Sequence, residues 1–457
     1  MTASDRAYLS KMPIVLLLLT LTWCSGCKPS QPDETAATAP RPVASDVPLR
    51  IVIAAPVADI ESIRRQWLSD SEQPLAIDSI SVDQLIGGAE LQADVVLYPS
   101  YLLGELQSRG WIVKLPEMTA DLPSVQEGDS QPAVVTIPKS WQSGAQYNET
   151  VLGLPLGCSL AIPICSDSLK SELTNSLSWE TLLAAIEQGQ AVEATTSSDQ
   201  AANAPEFVAD PIATVDRFLA IAFSLTERNV RYGLLFDIES MQPRLLEPEF
   251  LRAAEIMGAL SRQTNGLTSV VGSHSHAWRW AAQHESKVVA IASPIMLDAE
   301  ARSVEVGGVL SLEPYAFHNS GSALLASLSA TCRQTRQSVA FLSWLRRSST
   351  RDFLAPLVPG IEASQLGGVE SLSYRARQSL VHVVASDTSS QEPRLPGSHE
   401  YRRVLGEQLI NFLRGNQTAE AALSSTAQRW QEITAKLANQ SDAEPKDVYQ
   451  RSLSLTQ

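Results

Sequence analysis

The stretch Leu49-Arg50-Ile51-Val52-Ile53-Ala54-Ala55 determines the fold class. A short and nearly continuous apolar run is typical of a strand that is buried on both faces of a sheet. A turn follows, and then a helix whose apolar face includes Ile60, Ile63 and Trp67. The chain therefore enters its folded part as a buried strand that is followed directly by an amphipathic helix.

The same alternation continues along the chain. Further strands are predicted at 75–82 and 94–98, with one helix that begins at residue 83 and another at 101–109. Strands and helices that alternate through short turns predict a parallel α/β layer. No G-x-G-x-x-G sequence follows the first strand, so the pattern does not support dinucleotide binding.

The first 27 residues have the layout of a secretory signal. An apolar run at 13–21 follows Lys11, and it is too short to cross a bilayer permanently, which needs about 20 apolar residues. The run ends at Cys24-Ser25-Gly26-Cys27, which resembles a bacterial lipobox. This resemblance implies that Cys27 carries a lipid and that the mature chain is held at a membrane on the periplasmic side of the cell envelope. An ordinary cleaved signal that releases a soluble protein is the alternative.

Composition and charge limit the partners. The 457-residue chain has a net charge of −15 and no Lys/Arg run longer than a pair, whereas nucleic-acid binding needs a basic face. Residues 28–47 are rich in Pro, Ala, Thr and Asp and are expected to form a flexible linker. The remaining length of about 400 residues is sufficient for two domains. Cys158 and Cys165 lie too far apart on an extended segment to bridge, so a disulfide scaffold is not expected.

The region Val151–Cys165 is a long apolar run that Gly and Pro interrupt. A central strand tolerates proline poorly, so the run is predicted to cross between two domains. Helices are expected from Ser178, at 211–225 and at 247–262. Near the C-terminus, a helix with apolar residues from Tyr401 to Leu413 ends at Gly415, and Thr418 begins a second helix. After residue 441 the chain is charged and is expected to fray.

Four blocks of sequence follow one another in a characteristic order. They are Tyr98-Pro99-Ser100-Tyr101 with Gly110-Trp111-Ile112; Val151-Leu152-Gly153-Leu154-Pro155-Leu156-Gly157 with Ser178-Trp179-Glu180-Thr181-Leu182; Trp280 to Ile291; and Arg414-Gly415-Asn416-Gln417-Thr418-Ala419-Glu420-Ala421-Ala422-Leu423. Their order and spacing resemble the family 1 extracellular solute-binding proteins, the ligand-capturing components of bacterial ABC importers, to which maltose-binding protein belongs.

This resemblance implies a type II periplasmic-binding-protein-like fold, in which a hinge joins two α/β lobes around a ligand cleft. The chain is expected to cross the hinge near Gly157–Pro163 and again near Pro314–Ser322. The implied organisation is a signal peptide and lipobox at 1–27, a linker at 28–47, an N-terminal lobe at 48–158 and 271–315, a C-terminal lobe at 159–270 and 316–440, and a polar tail at 441–457.

Aromatic rings that stack on sugars, together with a few polar groups, are typical of a carbohydrate cleft. By family position, the ligand-binding candidates are Tyr101, Trp278, Trp280, Phe317 and Tyr401, joined by Pro56 and Gly157. Packing in the core is the alternative interpretation for each ring. Trp67, Trp344 and Trp430 lie on apolar helix faces and are predicted to be core residues.

The sequence offers little support for catalysis, metal binding or a cofactor. His274, His276 and His284 match no H-E-x-x-H spacing, and a solvated loop is expected there. No G-x-S-x-G occurs, and no carboxylate pair stands out. The resulting hypothesis is a monomeric, lipid-anchored binding protein that captures a small solute, with carbohydrate favoured, and delivers it to an ABC permease. A sensing lipoprotein and an extracytoplasmic hydrolase are the alternatives.

Overall fold

The computed structural model of the chain contains two mixed layers of helices and strands. It describes residues 46–55, 60–116, 144–156, 161–170, 178–193, 208–226, 235–263, 266–284, 286–293, 297, 299–302, 304, 306, 308–310, 324–346, 394–439 and 444–452. The strands are β1 Leu49–Ile53, β2 Leu75–Ser79, β3 Val95–Pro99, β4 Ile112–Val113, β5 Gln146–Tyr147, β6 Thr150–Val151, β7 Leu154–Pro155, β8 Ile162–Cys165, β9 Val289–Ala292, β10 Gly308–Val309 and β11 Leu324–Ser329.

The helices vary from one turn to more than five. They are α1 Ile60–Ser71, α2 Val82–Gly87, α3 Leu103–Ser108, α4 Asp167–Lys170, α5 Trp179–Glu193, α6 Pro211–Leu225, α7 Pro248–Ser261, α8 Leu267–Val271, α9 His274–Gln283, α10 Ala299–Arg302, α11 Thr335–Leu345, α12 Ser398–Leu413, α13 Ala419–Ala438 and α14 Pro445–Ser452. A 3₁₀ turn, Ser100–Leu102, directly precedes α3.

The first sheet has the strand order β2-β1-β3-β11-β4, and β7 also pairs with β11. Strand β1 runs parallel to β2 and β3, whereas β11 runs antiparallel to β3. Successive side chains of β1 enter different cores, because Ile51 and Ile53 belong to one hydrophobic cluster and Val52 to another. The predicted strand that is buried on both faces and the parallel α/β layer are therefore confirmed.

The second sheet contains β10, β8 and β9 in that order, all antiparallel. Ile162 and Ile164 of β8 face the cluster that continues under the first sheet, whereas Ile291 of β9 faces a second cluster. The expectation that proline disfavours a central strand is wrong here, because Pro163 lies in the middle strand. Its carbonyl accepts a hydrogen bond from the backbone N–H of Leu310 at 2.9 Å, so the ring is accommodated while the carbonyl remains paired.

Two lobes can be defined from these sheets. The first lobe is the six-stranded sheet with α1–α3 and α11, and the second lobe is the three-stranded sheet with α4–α10 and α12–α14. The chain passes from the first sheet to the second between β7 and β8, and it returns between β10 and β11. The predicted crossings at 157–163 and 314–322 lie mostly outside the described residues, so they stay predictions.

The predicted lobe boundaries differ from the strand pairing in two places. Strand β11 pairs with β3, and Trp344 of α11 packs against Trp67 of α1, so 324–345 belong to the first lobe and not to a C-terminal lobe at 316–440. Strand β9 pairs with β8, so it belongs to the second lobe. An apolar strand shows in its sequence that it is buried, but it does not show which sheet it joins.

The C-terminal helices α12, α13 and α14 belong to the helical side of the second lobe. Thr418 caps α13 as predicted, since its hydroxyl accepts from the N–H of Ala421 at 3.2 Å. The predicted fraying after residue 441 is wrong over α14, because Tyr449 is fully buried against Phe236. One anchoring ring in an otherwise polar helix is too weak a hydropathy signal to be read from the sequence. Within the described ranges, no helix is both long and apolar enough to cross a membrane.

A buried carboxylate connects the beginnings of β1 and β3 in the first sheet. Asp94 is fully buried and accepts hydrogen bonds from the backbone N–H of Arg50 at 2.9 Å, from the Arg50 guanidinium at 2.9 and 3.1 Å, and from the N–H of Arg333 at 2.8 Å. Burial alone raises the pKa of Asp94, but the hydrogen bonds from Arg50 and Arg333 outweigh it and leave the pKa below its ordinary value.

Replacing Asp94 with asparagine is expected to lower the free energy of unfolding at pH 7 by about 1–2 kcal/mol, because the amide cannot accept all four bonds. A lowered carboxyl pKa contributes stability above the unfolded pKa of about 3.9, and this contribution is lost as the pH falls through the folded pKa. Urea unfolding of the parent and of Asp94→Asn at pH 7 and at pH 3 measures the loss of unfolding free energy at each pH. An Asp94→Asn variant that is less stable by the same amount at both pH values would contradict this assignment.

Candidate functional site

The two lobes meet where the start of α12 lies against the 3₁₀ turn and α3 of the first lobe. The backbone N–H of Gly397 donates to the Glu105 carboxylate at 2.7 Å. Gly104 lies so close to the backbone of Arg394 that a Cβ at this position would be 1.8 Å from the Arg394 carbonyl oxygen. A glycine is therefore required on α3 for the lobes to approach this closely.

Replacing Gly104 with alanine is expected to push the start of α12 away from α3, because the clashing atoms belong to the backbone and cannot rotate aside. Overpacking of this kind costs about 1–3 kcal/mol. Thermal unfolding of Gly104→Ala, compared with Gly87→Ala, tests this expectation. Gly87 has open space around its Cβ position, so its variant is the matched control. Equal melting temperatures for the two variants would show that the approach of the lobes tolerates a side chain.

Tyr101, the predicted ligand-stacking residue of the first lobe, lies in this junction. Its side chain is 2% exposed. The Arg402 guanidinium carbon lies 4.7 Å from the centre of the tyrosine ring, and the His399 imidazole is stacked on it with centroids 6.2 Å apart and planes at 15°. His399 also forms a 2.9 Å hydrogen bond with Asp83 of α2. The Tyr101 ring of the first lobe thus packs against Arg402 and His399 of the second lobe.

Arg402 connects the tyrosine to a buried network in the second lobe. Its guanidinium donates to one carboxylate oxygen of Asp216 on α6, and the other oxygen is 3.2 Å from Nε2 of His274. Nδ1 of His274 accepts from the backbone N–H of Ser293 at 3.1 Å, which requires the proton on Nε2. Burial lowers the pKa of His274, in agreement with a neutral ring.

Arg217, next to Asp216, holds the surrounding backbone in place. Its guanidinium is fully buried and donates to the carbonyls of Ile291, Val270, Gly272 and Ser273 at 2.6–3.1 Å. Burial lowers its pKa to about 10. Because these carbonyls belong to β9, the end of α8 and the turn before α9, the residue fixes the position of His274 relative to α6.

Tyr401, the candidate of the second lobe, lies next to Arg402 but is directed into the core. Its ring makes edge contacts with Phe236 and Trp430 at centroid distances of 5.4 and 5.5 Å. Its hydroxyl hydrogen-bonds to Thr434 at 2.8 Å, and burial raises its pKa to about 12. The two predicted tyrosines therefore come from different lobes, as expected, but their rings do not face each other across a shared site.

Trp278 and Trp280 both lie on α9 two positions apart, so their side chains diverge. Trp278 is fully buried and its indole N–H donates to the carbonyl of Val304 at 2.9 Å. Trp280 is 8% exposed and lies 4.8 Å from the ring of His284. Pro56, Gly157, Phe317 and the lipobox Cys27 lie outside the described residues.

The three tryptophans predicted to be core residues, Trp67, Trp344 and Trp430, are all buried. The expectation of a solvated loop around His274 and His276 is wrong, because Ser273 caps α9 there by accepting from the N–H of His276 at 3.3 Å. No group of His, Cys, Asp or Glu suited to hold a metal ion occurs in the described part of the chain. The junction of Tyr101, His399, Arg402, Asp216 and His274 is a buried cluster of charged and aromatic side chains.

A cavity of about 480 Å³ opens beside this junction, between α3 and the C-terminal helices. Glu105, Arg109 and Tyr147 line it from the first lobe, and Tyr401, Leu437 and Val448 line it from the second. Cavities of about 300–1,000 Å³ with an apolar lining and a few polar groups are typical of small-molecule sites.

Sequence comparison finds no matching protein-family model and no matching curated protein. Comparison of structures finds many similar chains. A maltose-bound MalE3 from T. maritima is 13% identical, with a TM-score of 0.58 over 84% of this chain and 100% of the other. The sugar-binding protein MalE from Xanthomonas citri is 13% identical, with a TM-score of 0.57 over 86% of this chain and 98% of the other.

A third structure is an ABC transporter solute-binding protein from Agrobacterium vitis S4 with bound D-mannitol. It is 14% identical, with a TM-score of 0.56 over 85% of this chain and 98% of its own. At such low identity the likeness establishes the fold alone, and it extends over nearly the full length of each neighbour. The chain therefore has the two-lobed α/β fold of the ABC-transporter solute-binding proteins, the type II periplasmic-binding fold that its sequence blocks indicate.

Proposed function

We propose that this protein is an extracytoplasmic solute-binding protein that captures a carbohydrate between its lobes and delivers it to an ABC permease. The observation that carries the proposal is the junction in which Tyr101 of the first lobe holds Arg402 and His399 of the second. In the arrangement that the structure describes, the Tyr101 ring and the Arg402 guanidinium cover each other, so we infer that a stacking surface and hydrogen-bond donors for a sugar become accessible when the lobes separate.

The capture step follows from the fold. The two lobes are joined by crossings of the chain, and one hydrophobic cluster contains residues of both sheets, such as Ile51 of β1 and Ile162 of β8, so a movement of the lobes must slide along this shared packing. A solute that contacts both lobes makes all of its contacts only in the closed arrangement, and it therefore shifts the population toward that arrangement. This mechanism requires no covalent chemistry. Both ring nitrogens of His274 are engaged in hydrogen bonds, so the ring is not placed to act as a general base.

The identity of the solute is proposed from the neighbours that share the fold. The structures of similar chains include one with maltose and one with D-mannitol, both rich in hydroxyl groups. The same reasoning supports a transport role, because the neighbour from Agrobacterium vitis is described as an ABC transporter solute-binding protein. The partners of this chain would then be a small carbohydrate and a membrane permease.

A thermal-shift screen of the purified protein tests this function. A ligand that binds only the native state raises the melting temperature by mass action. We expect at least one mono- or oligosaccharide to stabilise the protein by several degrees at millimolar concentration, while amino acids, polyamines and metal salts leave it unchanged. Stabilisation by a non-carbohydrate solute alone would overturn the carbohydrate assignment.

Lipid attachment at Cys27 is expected to hold the mature protein at the membrane. Replacing Cys27 with serine removes the thiol that accepts the lipid, so the variant is expected to leave the detergent phase in a detergent-partition assay, or to retain its uncleaved signal. Cys24→Ser is the matched control and should remain membrane-bound. If the parent and Cys27→Ser both lose their signal and both partition into the aqueous phase, the lipoprotein assignment is contradicted and a soluble, secreted protein is supported.

A further inference from the structure

The short C-terminal helix α14 contacts both lobes. It packs against α13 of the second lobe and against β5 of the first. On the second-lobe side, Tyr449 is fully buried, its ring lies 5.8 Å from that of Phe236 at 72°, and its hydroxyl donates to the Phe236 carbonyl at 3.5 Å. The ring thus anchors the helix in the aromatic cluster that also contains Trp430 and Tyr401.

The other attachment of α14 is to the first lobe. The backbone N–H of Asn148, in the turn between β5 and β6, donates to the carbonyl of Arg451 at 3.1 Å. This hairpin belongs to the first lobe, because Leu152 next to it donates to Ala145 and lies in the cluster under the first sheet. Residue Arg451 is therefore bonded to one lobe while Tyr449, two positions earlier, is buried in the other.

The last turn of α14 is also tied to the junction between the lobes. The guanidinium of Arg394 donates to the carbonyl of Ser452, and both residues are buried. Burial lowers the pKa of Arg394 to about 10, and Tyr147 and Tyr98 of the first lobe partly offset this effect. Because the backbone of Arg394 lies against Gly104 of α3, this contact fastens the end of the helix at the point where the lobes touch.

The cavity of about 480 Å³ lies beneath α14. One wall is α3 with the β5–β6 hairpin, the other is α13, and Pro445, Val448 and Arg451 of α14 close the space between them. The lobes are therefore separated by open volume at this place, and α14 forms a bridge across it. Because α14 is attached on both sides of this space, it can limit how far the two walls move apart.

We propose that α14 is an interlobe strap that restrains the separation of the two lobes. Its anchor is Tyr449 in the second lobe, its attachment to the first lobe is the Asn148–Arg451 bond, and its end at Ser452 is held by Arg394 at the junction. Loss of the anchor frees the strap and shifts the population toward more open lobes. A consequence for affinity rests on the proposed function. A freed strap would weaken solute binding, because the closed state would be less populated before the solute binds.

The test needs no ligand. Hydrogen exchange and small-angle X-ray scattering are measured on the purified protein and on three variants: Tyr449→Ala, a deletion of residues 441–457, and Lys446→Ala. Lys446 is an exposed residue on the same helix, so its variant is the matched control. The diagnostic readout is the hairpin at 146–151, which lies in the lobe that does not hold Tyr449.

We expect Tyr449→Ala and the deletion to accelerate exchange at the Asn148 amide by at least about fivefold, since local opening sets exchange rates, and to increase the radius of gyration. Lys446→Ala should match the parent in both. Tyr449→Ala removes a buried ring and can fold poorly because of the cavity it leaves. The deletion removes the whole helix, so it tests the same proposal without that cavity. Parent-like exchange in the hairpin and a parent-like radius in the folded deletion variant would overturn the strap. A failed carbohydrate screen would overturn only the proposed function.

Discussion

Replacing Arg402 with alanine is expected to destabilise the protein by about 3–5 kcal/mol, because it leaves the buried Asp216 carboxylate without its cationic partner. Asp216 and Arg402 are 1% and 2% exposed as side chains, so solvent cannot replace the lost contact. The same substitution also removes the guanidinium from the face of the Tyr101 ring. Guanidinium chloride unfolding at pH 7 measures the loss.

Arg403, the next residue, provides the control for this prediction. It forms ion pairs with Glu400 and Glu407 on the surface of α12, and its side chain is 37% exposed. Exposed pairs contribute about 0–1 kcal/mol, so Arg403→Ala should change the unfolding midpoint little. Adding Asp216→Asn to Arg402→Ala should restore part of the stability by removing the uncompensated charge. Similar losses for the two arginine variants would contradict the buried pair.

Replacing Tyr101 or Tyr401 with alanine is expected to weaken carbohydrate binding by about 1–3 kcal/mol each, by analogy with other aromatic stacking contacts. This corresponds to a loss of affinity between several-fold and more than a hundredfold. For Tyr101 the effect acts through its neighbours, since the ring holds Arg402 and His399 in place. For Tyr401 the ring lines the neighbouring cavity and supports α12 from its core side.

Titration calorimetry with the strongest stabilising sugar of the screen measures both effects. Tyr101→Phe is the matched control, because it keeps the ring and removes only the hydroxyl, and it should bind within a few-fold of the parent. Circular dichroism establishes that each variant is folded before the affinity is compared. If both alanine variants remain folded and bind as tightly as the parent, the placement of the solute at this junction is wrong.

Local sequence patterns predict much of the fold. The apolar run at Leu49 gives β1, the Asp210-Pro211 start gives α6, and the Thr418 cap gives α13, because each signal concerns residues within a turn or a strand of one another. The assignment of β11 to the first sheet is not predictable in this way. Its pairing with β3 joins residues that are more than two hundred positions apart, and an apolar strand fits several sheets equally well.

The candidate site, too, depends on contacts between residues that are distant in sequence. Tyr101 could be proposed from its position after the third strand, where open α/β sheets place ligands. Arg402 and His399 could not, because their partners Tyr101 and Asp216 are distant in sequence and charged residues on a helix are usually solvated. Ser273 before His274 is a helix-cap signal that would have placed the histidine on α9 instead of in a loop.

The central claim is that a carbohydrate closes the two lobes around itself, and small-angle X-ray scattering tests it most directly. The radius of gyration of the purified protein is measured with and without a saturating concentration of the strongest stabilising sugar, with a non-binding sugar as the control. The account predicts a smaller radius with the binding sugar only, since bound solute favours the closed arrangement. A sugar that stabilises the protein yet leaves the radius unchanged, in both the parent and the strap-deletion variant, would contradict capture by lobe closure.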